Sequence, residues 1–186
     1  MVPAIFLDRD GVLIENRPEY VRDWSQVNVF PEAIQALSSP KLDDYRMVMV
    51  TNQSAVGRGI ISLAAAEGIN ERLIGLIRER GGRIDSVYLC PHSPEDGCNC
   101  RKPKPGLLLR AAKELSLDLK RSWMIGDAWS DVRAGQTAGV RGTIILKTGR
   151  GTDQLSMPEP TGLDEFMVCD DLPQALSTIL ALDGRE

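Results

Sequence analysis

Five short apolar runs recur along the chain: AIFL at 4–7, MVMV at 47–50, DSVYL at 85–89, SWMI at 122–125 and TIIL at 143–146. Each has the length of a strand, and several are apolar on both parities, as a strand buried on both faces requires. Segments of helical period separate them, at 31–38, at 62–80 behind an N-cap at Ser62, at 105–116 with Pro105 in the first helical position, and at 130–138 closed by Gly139. A last helix is expected over 171–182. Strand and helix in turn predict the α/β class, an open and mostly parallel sheet with helices on both faces. Internal repeats, low-complexity tracts and linkers are absent from the sequence, so residues 1–186 are expected to form one domain, long enough to bury a core without disulfides.

Such a sheet binds its ligands in the crevice beyond the strand C-termini. Polar clusters stand at those points. Asp8-Arg9-Asp10-Gly11 follows the first run and Thr51-Asn52-Gln53-Ser54 the second; a cysteine loop with Arg101-Lys102 follows the third, and Gly126-Asp127 with Asp131 the fourth. Asp8 and Asp10, one residue apart on an extended segment, point to the same side and converge on one atom of a substrate. Adjacent carboxylates repel, and Asp127 and Asp131 add to the repulsion, which a hard divalent ion such as Mg²⁺ relieves. Thr51 and Asn52 add hydroxyl and amide donors, and Lys102 adds a point charge suited to a phosphoryl oxygen. Together these residues predict a phosphate site with a carboxylate nucleophile. Taken singly, each is as well read as a strand-end turn, a helix cap near Ser130 or a surface lysine.

A net charge of −4 gives no basic field for non-specific nucleic-acid binding. No run approaches the length of a membrane span, and the first apolar run stops at Asp8, so neither membrane nor secretory signal is expected. Three of the four cysteines cluster at 90, 98 and 100, with Cys169 apart as an ordinary thiol, which favours a metal site in a reducing, cytoplasmic setting.

The set DRDG, TNQS, RKP and GDAWSD, in that order, resembles the haloacid dehalogenase-like phosphohydrolase superfamily over essentially the whole chain. The resemblance implies a Rossmann-like core. It also implies Asp8 as the nucleophile that forms an aspartyl-phosphate, Asp10 as general acid and then base, and Thr51 and Lys102 as phosphoryl-stabilising groups. Mg²⁺ would be held by Asp8, the backbone carbonyl of Asp10, and Asp127, with Asp131 as an auxiliary acid. The gaps from Asp10 to Thr51 and from Thr51 to Lys102 are too short for a separate cap domain, so a capless enzyme is expected.

Cys90, His92, Cys98 and Cys100 supply three sulfurs and one imidazole, a closed tetrahedral set for Zn²⁺ with no position left for catalysis. Within the superfamily, C-x-H followed by C-x-C-R-K-P-x-P-G resembles the heptose bisphosphate phosphatases and their histidinol-phosphate relatives. That resemblance implies a small phosphorylated sugar as substrate and Arg101 as a recognition residue. It also implies a flap over 15–20 in which Asn16 and Glu19 are candidate sugar partners, while Asn52 is read as a further substrate contact. A basic residue commonly follows the Gly-Asp of this group, whereas the chain has Ala128, so the missing cation is expected from Arg58, Lys147 or Arg150. The stretch 149–160 reads as a mobile surface loop. Other readings remain open: another small phosphorylated metabolite, a polynucleotide 3′-phosphatase disfavoured by the acidic balance, or a non-enzymatic zinc-stabilised module. A monomer is expected.

Overall fold

The computed structural model describes residues 1–184. Six strands form one sheet: β1 (Ala4–Leu7), β2 (Arg46–Asn52), β3 (Ser86–Cys90), β4 (Trp123–Gly126), β5 (Gly142–Leu146) and β6 (Met167–Cys169). Their spatial order is β3-β2-β1-β4-β5-β6 and every neighbouring pair is parallel. This is the doubly wound order, whose direction of winding reverses between β1 and β4.

The sheet sorts its side chains by parity. Ile5 and Leu7 of β1, with Met47 and Met49 of β2, enter one core, and Ala4, Phe6, Val48 and Val50 enter the other. On the first side pack α1 (Pro31–Ala36), α3 (Leu63–Glu79) and α7 (Leu172–Leu182), through Ile34, Leu73, Ile77, Leu176 and Ile179. On the second pack α4 (Gly106–Leu115) and α5 (Trp129–Ala138), through Leu107, Leu108, Ala111 and Ala134. Two short helices complete the set, α2 (Ser54–Gly57) and α6 (Gly151–Ser156).

The expected helix ends hold in several places. The Ser62 hydroxyl accepts from the Ala65 N–H at 3.1 Å, Asp171 accepts from the Gln174 N–H at 2.9 Å, and Gly139 ends α5 in the left-handed region at φ +79. Other expectations need correction. Pro105 is the N-cap of α4 rather than its first residue. Ser130 caps nothing: the helix begins at Trp129, and the Asp131 carboxylate reaches back to accept the Ala128 N–H at 3.1 Å. The stretch 149–160 is not simply a loop, because Gly151–Ser156 is helical. Strand β6 was not expected, and Thr51, Asn52, Cys90 and Gly126 lie inside strands rather than after them. Among the described residues no helix is long and apolar enough to cross a membrane.

Candidate active site

The C-terminal ends of β1, β2 and β4, with the loop after β3, open onto one cavity of about 700 Å³ whose lining includes Asp8, Asp10, Asn16, Arg101, Lys102 and Arg150. Asp8 follows β1 directly, with its N–H bonded to the Ile125 carbonyl at 3.0 Å. Gly11 then turns the chain sharply, at φ +85, and its N–H reaches the Ile14 carbonyl at 2.6 Å. A Cβ there would fall 2.1 Å from Asp127 Oδ2, so the turn and the carboxylate fit together only with glycine at this position.

Lys102 sits at the centre of the site. It is 3% exposed, and its Nζ donates to the Val50 carbonyl at 2.8 Å. The same nitrogen lies 3.0 Å from Asp8 Oδ1 and 2.7 Å from Asp131 Oδ1. The contact to Asp131 is an ion pair without hydrogen-bond angles, since that oxygen has no hydrogen-bond partner. Asp8 Oδ1 also accepts the Arg9 N–H at 2.7 Å, so neither this bond nor the lysine engages Oδ2.

Burial dominates the electrostatics. It pushes the Asp8 carboxyl up to about 7, against the pull of Lys102 and with help from Asp131, Asp127 and Asp10. Burial and then Asp131 likewise raise Asp127, while Arg150 opposes them. Burial works against the Lys102 ammonium, but Asp131 and Asp8 more than offset it and leave the group above its ordinary value. Oxygens of Asp8, Asp127 and Asp131 lie within 4.8 Å of one another, all in buried residues. A crowded, all-oxygen set with excess negative charge fits a hard divalent cation.

Asp10 stands apart from that trio. Its carboxylate accepts from Arg9 Nε at 3.0 Å, Arg9 Nη2 at 3.2 Å and Gln53 Nε2 at 3.1 Å. Arg9 is 1% exposed and is itself held by Gln53 Oε1 at 3.0 Å and by Asn70 Oδ1 of α3 at 2.9 Å. Reading the sequence missed this buried fork. Its one available signal was Asn70, a polar residue beside Ile69 on the otherwise apolar face of α3.

The remaining candidates divide. Thr51 is fully buried, and its Oγ1 accepts from Gln53 Nε2 at 2.7 Å. Asn52 grips the backbone of Lys102 from both sides, accepting its N–H at 3.1 Å and donating to its carbonyl at 3.0 Å. Its amide therefore positions the lysine, and Asn52 also lines the cavity, where a substrate contact was expected of it. Asn16 lines the cavity, and its Oδ1 is buried without a partner. Glu19 does not line it; its carboxylate is 85% exposed and turned to Arg22 at 3.3 Å, because the flap bends at Tyr20, which adopts φ +67. Of the three cations considered in place of a basic residue at position 128, Arg58 pairs with Glu95 and Lys147 with Asp170, both outside the cavity. Arg150 lines the cavity and bonds Asp127.

The cysteine loop closes on itself. Cys90 Sγ lies 3.6 Å from Cys98 Sγ and 3.2 Å from Cys100 Sγ, and His92 Nδ1 lies 3.3 Å from Cys100 Sγ and 3.7 Å from Cys90 Sγ. Tetrahedral zinc with bonds near 2.3 Å sets sulfurs about 3.8 Å apart; the sulfurs here stand closer, at 3.2 to 3.6 Å, and the three thiols with His92 Nδ1 make a donor set compatible with that ion. Lys104 Nζ ties the loop's backbone at the Gly97 and Cys98 carbonyls, 2.9 and 2.6 Å away. Arg101 Nη1 reaches the His92 carbonyl at 3.2 Å.

Residues 99–175 match the HAD-hydrolase-like family model. The chain is 34% identical to the D-glycero-β-D-manno-heptose-1,7-bisphosphate 7-phosphatase of Pseudomonas aeruginosa, over 95% of this chain and 97% of that one. It is 40% identical to the enzyme of the same name from Pasteurella multocida, over 81% and 84% of the two chains. The crystal structure of D,D-heptose 1,7-bisphosphate phosphatase from B. bronchiseptica, complexed with magnesium and phosphate, superposes with a TM-score of 0.88 at 31% identity, covering 97% of this chain and 99% of that one.

Proposed function

Since the chain belongs to the haloacid dehalogenase-like hydrolase family, we propose that it removes the 7-phosphate of D-glycero-β-D-manno-heptose 1,7-bisphosphate through an aspartyl-phosphate on Asp8. The observation that carries the chemistry is the buried Lys102 ammonium, 3.0 Å from Asp8 in a cavity that Asp10 also lines, with Asp127 buried against the Gly11 turn. The sugar is supported by near full-length similarity to enzymes of that name.

Asp8 attacks phosphorus through the oxygen that neither Arg9 nor Lys102 engages. As the bond from phosphorus to the sugar oxygen breaks, Asp10 gives that oxygen its proton. A water then attacks the aspartyl-phosphate and yields its proton to Asp10, and the bond from phosphorus to Asp8 breaks to release inorganic phosphate. Arg9 and Gln53 hold the Asp10 carboxyl in one orientation through both steps. Lys102 stays fixed by Val50 and Asn52 and offsets charge on the phosphoryl oxygens. Thr51, pinned by Gln53, fixes the amide that orients Asp10 and offers its hydroxyl at the same strand end. Mg²⁺ held by Asp8, Asp127 and the Asp10 carbonyl would supply the neutralisation that lets two anions approach. Zn²⁺ held by Cys90, His92, Cys98 and Cys100 would stiffen the loop that carries Arg101 and Lys102.

The test is phosphate release from the β-heptose bisphosphate with excess Mg²⁺, compared with histidinol phosphate and a 3′-phosphorylated oligonucleotide. The bisphosphate is expected to be the best substrate, and Asp8→Asn is expected to lower its turnover by at least roughly a thousandfold. Preference for either rival substrate sinks the assignment, and turnover surviving in Asp8→Asn sinks the nucleophile.

A further inference from the structure

Arg150 has a position that the reaction does not explain. It stands at the start of α6, and its side chain is 55% exposed, yet its partner is Asp127, which is fully buried. The contact has two parts. The backbone N–H donates to Asp127 Oδ2 at 2.9 Å, and the guanidinium reaches the same carboxylate through Nε at 3.3 Å and Nη2 at 3.1 Å.

The backbone part is built to stay. Gly149 adopts φ +57, and a Cβ on it would fall 2.4 Å from the Gly11 Cα and 2.5 Å from Asp127 Oδ2. Thr148 Oγ1 donates to the Gly11 carbonyl at 2.6 Å. The turn before α6 is thus fitted against the β1 turn at backbone level, whatever the guanidinium does. The side-chain part has no such anchor and, among the described residues, bonds nothing but Asp127, so it can leave without moving the loop.

The other cavity cations are committed elsewhere. Arg9 serves Asp10, Lys102 serves Asp8 and Asp131, Arg101 is tied to the His92 carbonyl, and Arg17 Nε is tied to the Gln26 carbonyl at 2.7 Å. Among the described residues, Arg150 alone is a cavity cation held through its guanidinium only by a carboxylate that a divalent ion would claim. When all three are ionised, the buried carboxylates against Lys102 and Arg150 leave one net negative charge, and a divalent cation reverses that balance. Once the ion is in place, the carboxylates no longer need the guanidinium, and a phosphate at the cavity mouth does.

We propose that Arg150 is a displaceable counter-ion that occupies Asp127 when the metal is absent and, on metal binding, swings out to hold the second phosphate of the substrate. This rests on the bisphosphatase reading for its substrate arm. The metal arm is independent of it.

Two measurements on Arg150→Ala and Arg150→Gln, dialysed free of Mg²⁺, test the inference. Calorimetric titration with Mg²⁺ alone, without substrate, is expected to show binding roughly threefold or more tighter than in the unaltered protein, because no resident cation must be displaced. The ratio of kcat/KM for the heptose 1,7-bisphosphate to that for the heptose 7-phosphate is expected to fall by about tenfold, the loss of one charged contact to the distal phosphate. Unchanged or weaker Mg²⁺ binding overturns the counter-ion role. An unchanged substrate ratio, in a protein that does hydrolyse the bisphosphate, overturns the recognition role while leaving the proposed reaction intact. Should the unaltered protein not hydrolyse the bisphosphate, that reading fails, and the calorimetry alone decides the fate of the counter-ion.

Discussion

Replacing Lys102 with methionine keeps the length of the side chain and removes its charge together with its hydrogen bond to the Val50 carbonyl. The ammonium lies 3.0 Å from Asp8 and 2.7 Å from Asp131. At an effective dielectric near 20 those contacts amount to about 5 and 6 kcal/mol before desolvation is subtracted. Breaking a buried pair by deleting one partner costs about 3–5 kcal/mol net, so Lys102→Met is expected to lose that much in metal-free urea denaturation. Asp131→Asn alone should do little. It forfeits the attraction to Lys102, but it also relieves repulsion from Asp8 and Asp127, whose oxygens lie within 4.8 Å. Each repulsion amounts to at least about 3.5 kcal/mol on the same scale, so gain and loss are of similar size. Asparagine also retains an oxygen to accept the Ala128 N–H, so the helix cap survives.

The two substitutions together give the decisive number. With methionine at 102 no cation remains at Asp131, and Asp131→Asn is then expected to raise stability. The coupling energy across the double-mutant cycle should reach about 2 kcal/mol or more. Urea melts of all four proteins at pH 8 without Mg²⁺ measure it. Turnover should not follow stability: both proteins lacking Lys102 are expected to stay slower by roughly a hundred- to a thousandfold, the usual cost of one transition-state donor. Additive effects, with coupling under about 0.5 kcal/mol, would refute the ion-pair account and leave Asp131 a helix cap only.

Two further outcomes follow from the loops that frame the site. Stripping zinc with a chelator while Mg²⁺ stays saturating should release a closed loop like that of a short disulfide, about 3 kcal/mol. That corresponds to a melting temperature lower by roughly 6–12 °C, with activity fading as the loop loosens; instant, fully reversible inactivation at an unchanged melting temperature would mark the zinc as catalytic. Gly149→Ala should destabilise the fold by about 2 kcal/mol or more and weaken Mg²⁺ binding, since its methyl would press on Gly11 and Asp127. Gly97→Ala, at a similar φ but in open space, should cost only about 1–2 kcal/mol, and equal melts for the two would show that the crossing at Gly149 does not matter.

How much of this was legible in the sequence depends on the range of the signal. Strands buried on both faces announce themselves as apolar runs, and the groups that follow β1, β2 and β4 could be placed because topology alone puts them in one crevice. Strand β6 lacked that mark: it is three residues long, at the sheet edge, and Val168 is 44% exposed. Arg150 was one of three cations considered, and nothing local separated it from Arg58 and Lys147. Only the crossing of the turn before α6 over Gly11 brings it to Asp127, and that contact spans 137 residues between Thr148 and Gly11. The second task of Asn52, its hold on the Lys102 backbone, was hidden for a related reason. Its amide could face substrate or backbone, and the choice is made by a loop 50 residues away. Short-range pattern reveals which residues are polar at a strand end, while their division of labour is set by long-range contacts.

That division also explains why the site needs cations from several sources. In the resting site the ionised Asp10 pairs with Arg9, and the two cancel in the balance. Asp8, Asp127 and Asp131 contribute three negative charges, and a phosphate monoester brings about two more. Lys102 and Arg150 answer with two positive charges, which leaves a deficit of about three in a buried cavity where like charges are costly. A divalent cation reduces that deficit to about one. The nucleophile can then be anionic in the presence of an anionic substrate, and the same ion frees the guanidinium at Asp127. Stable folding without metal and productive binding with it thus draw on the same two side chains, Lys102 fixed in the core and Arg150 free to turn. This is why Lys102→Met should damage both states, whereas loss of Arg150 should tighten metal binding and blunt substrate choice.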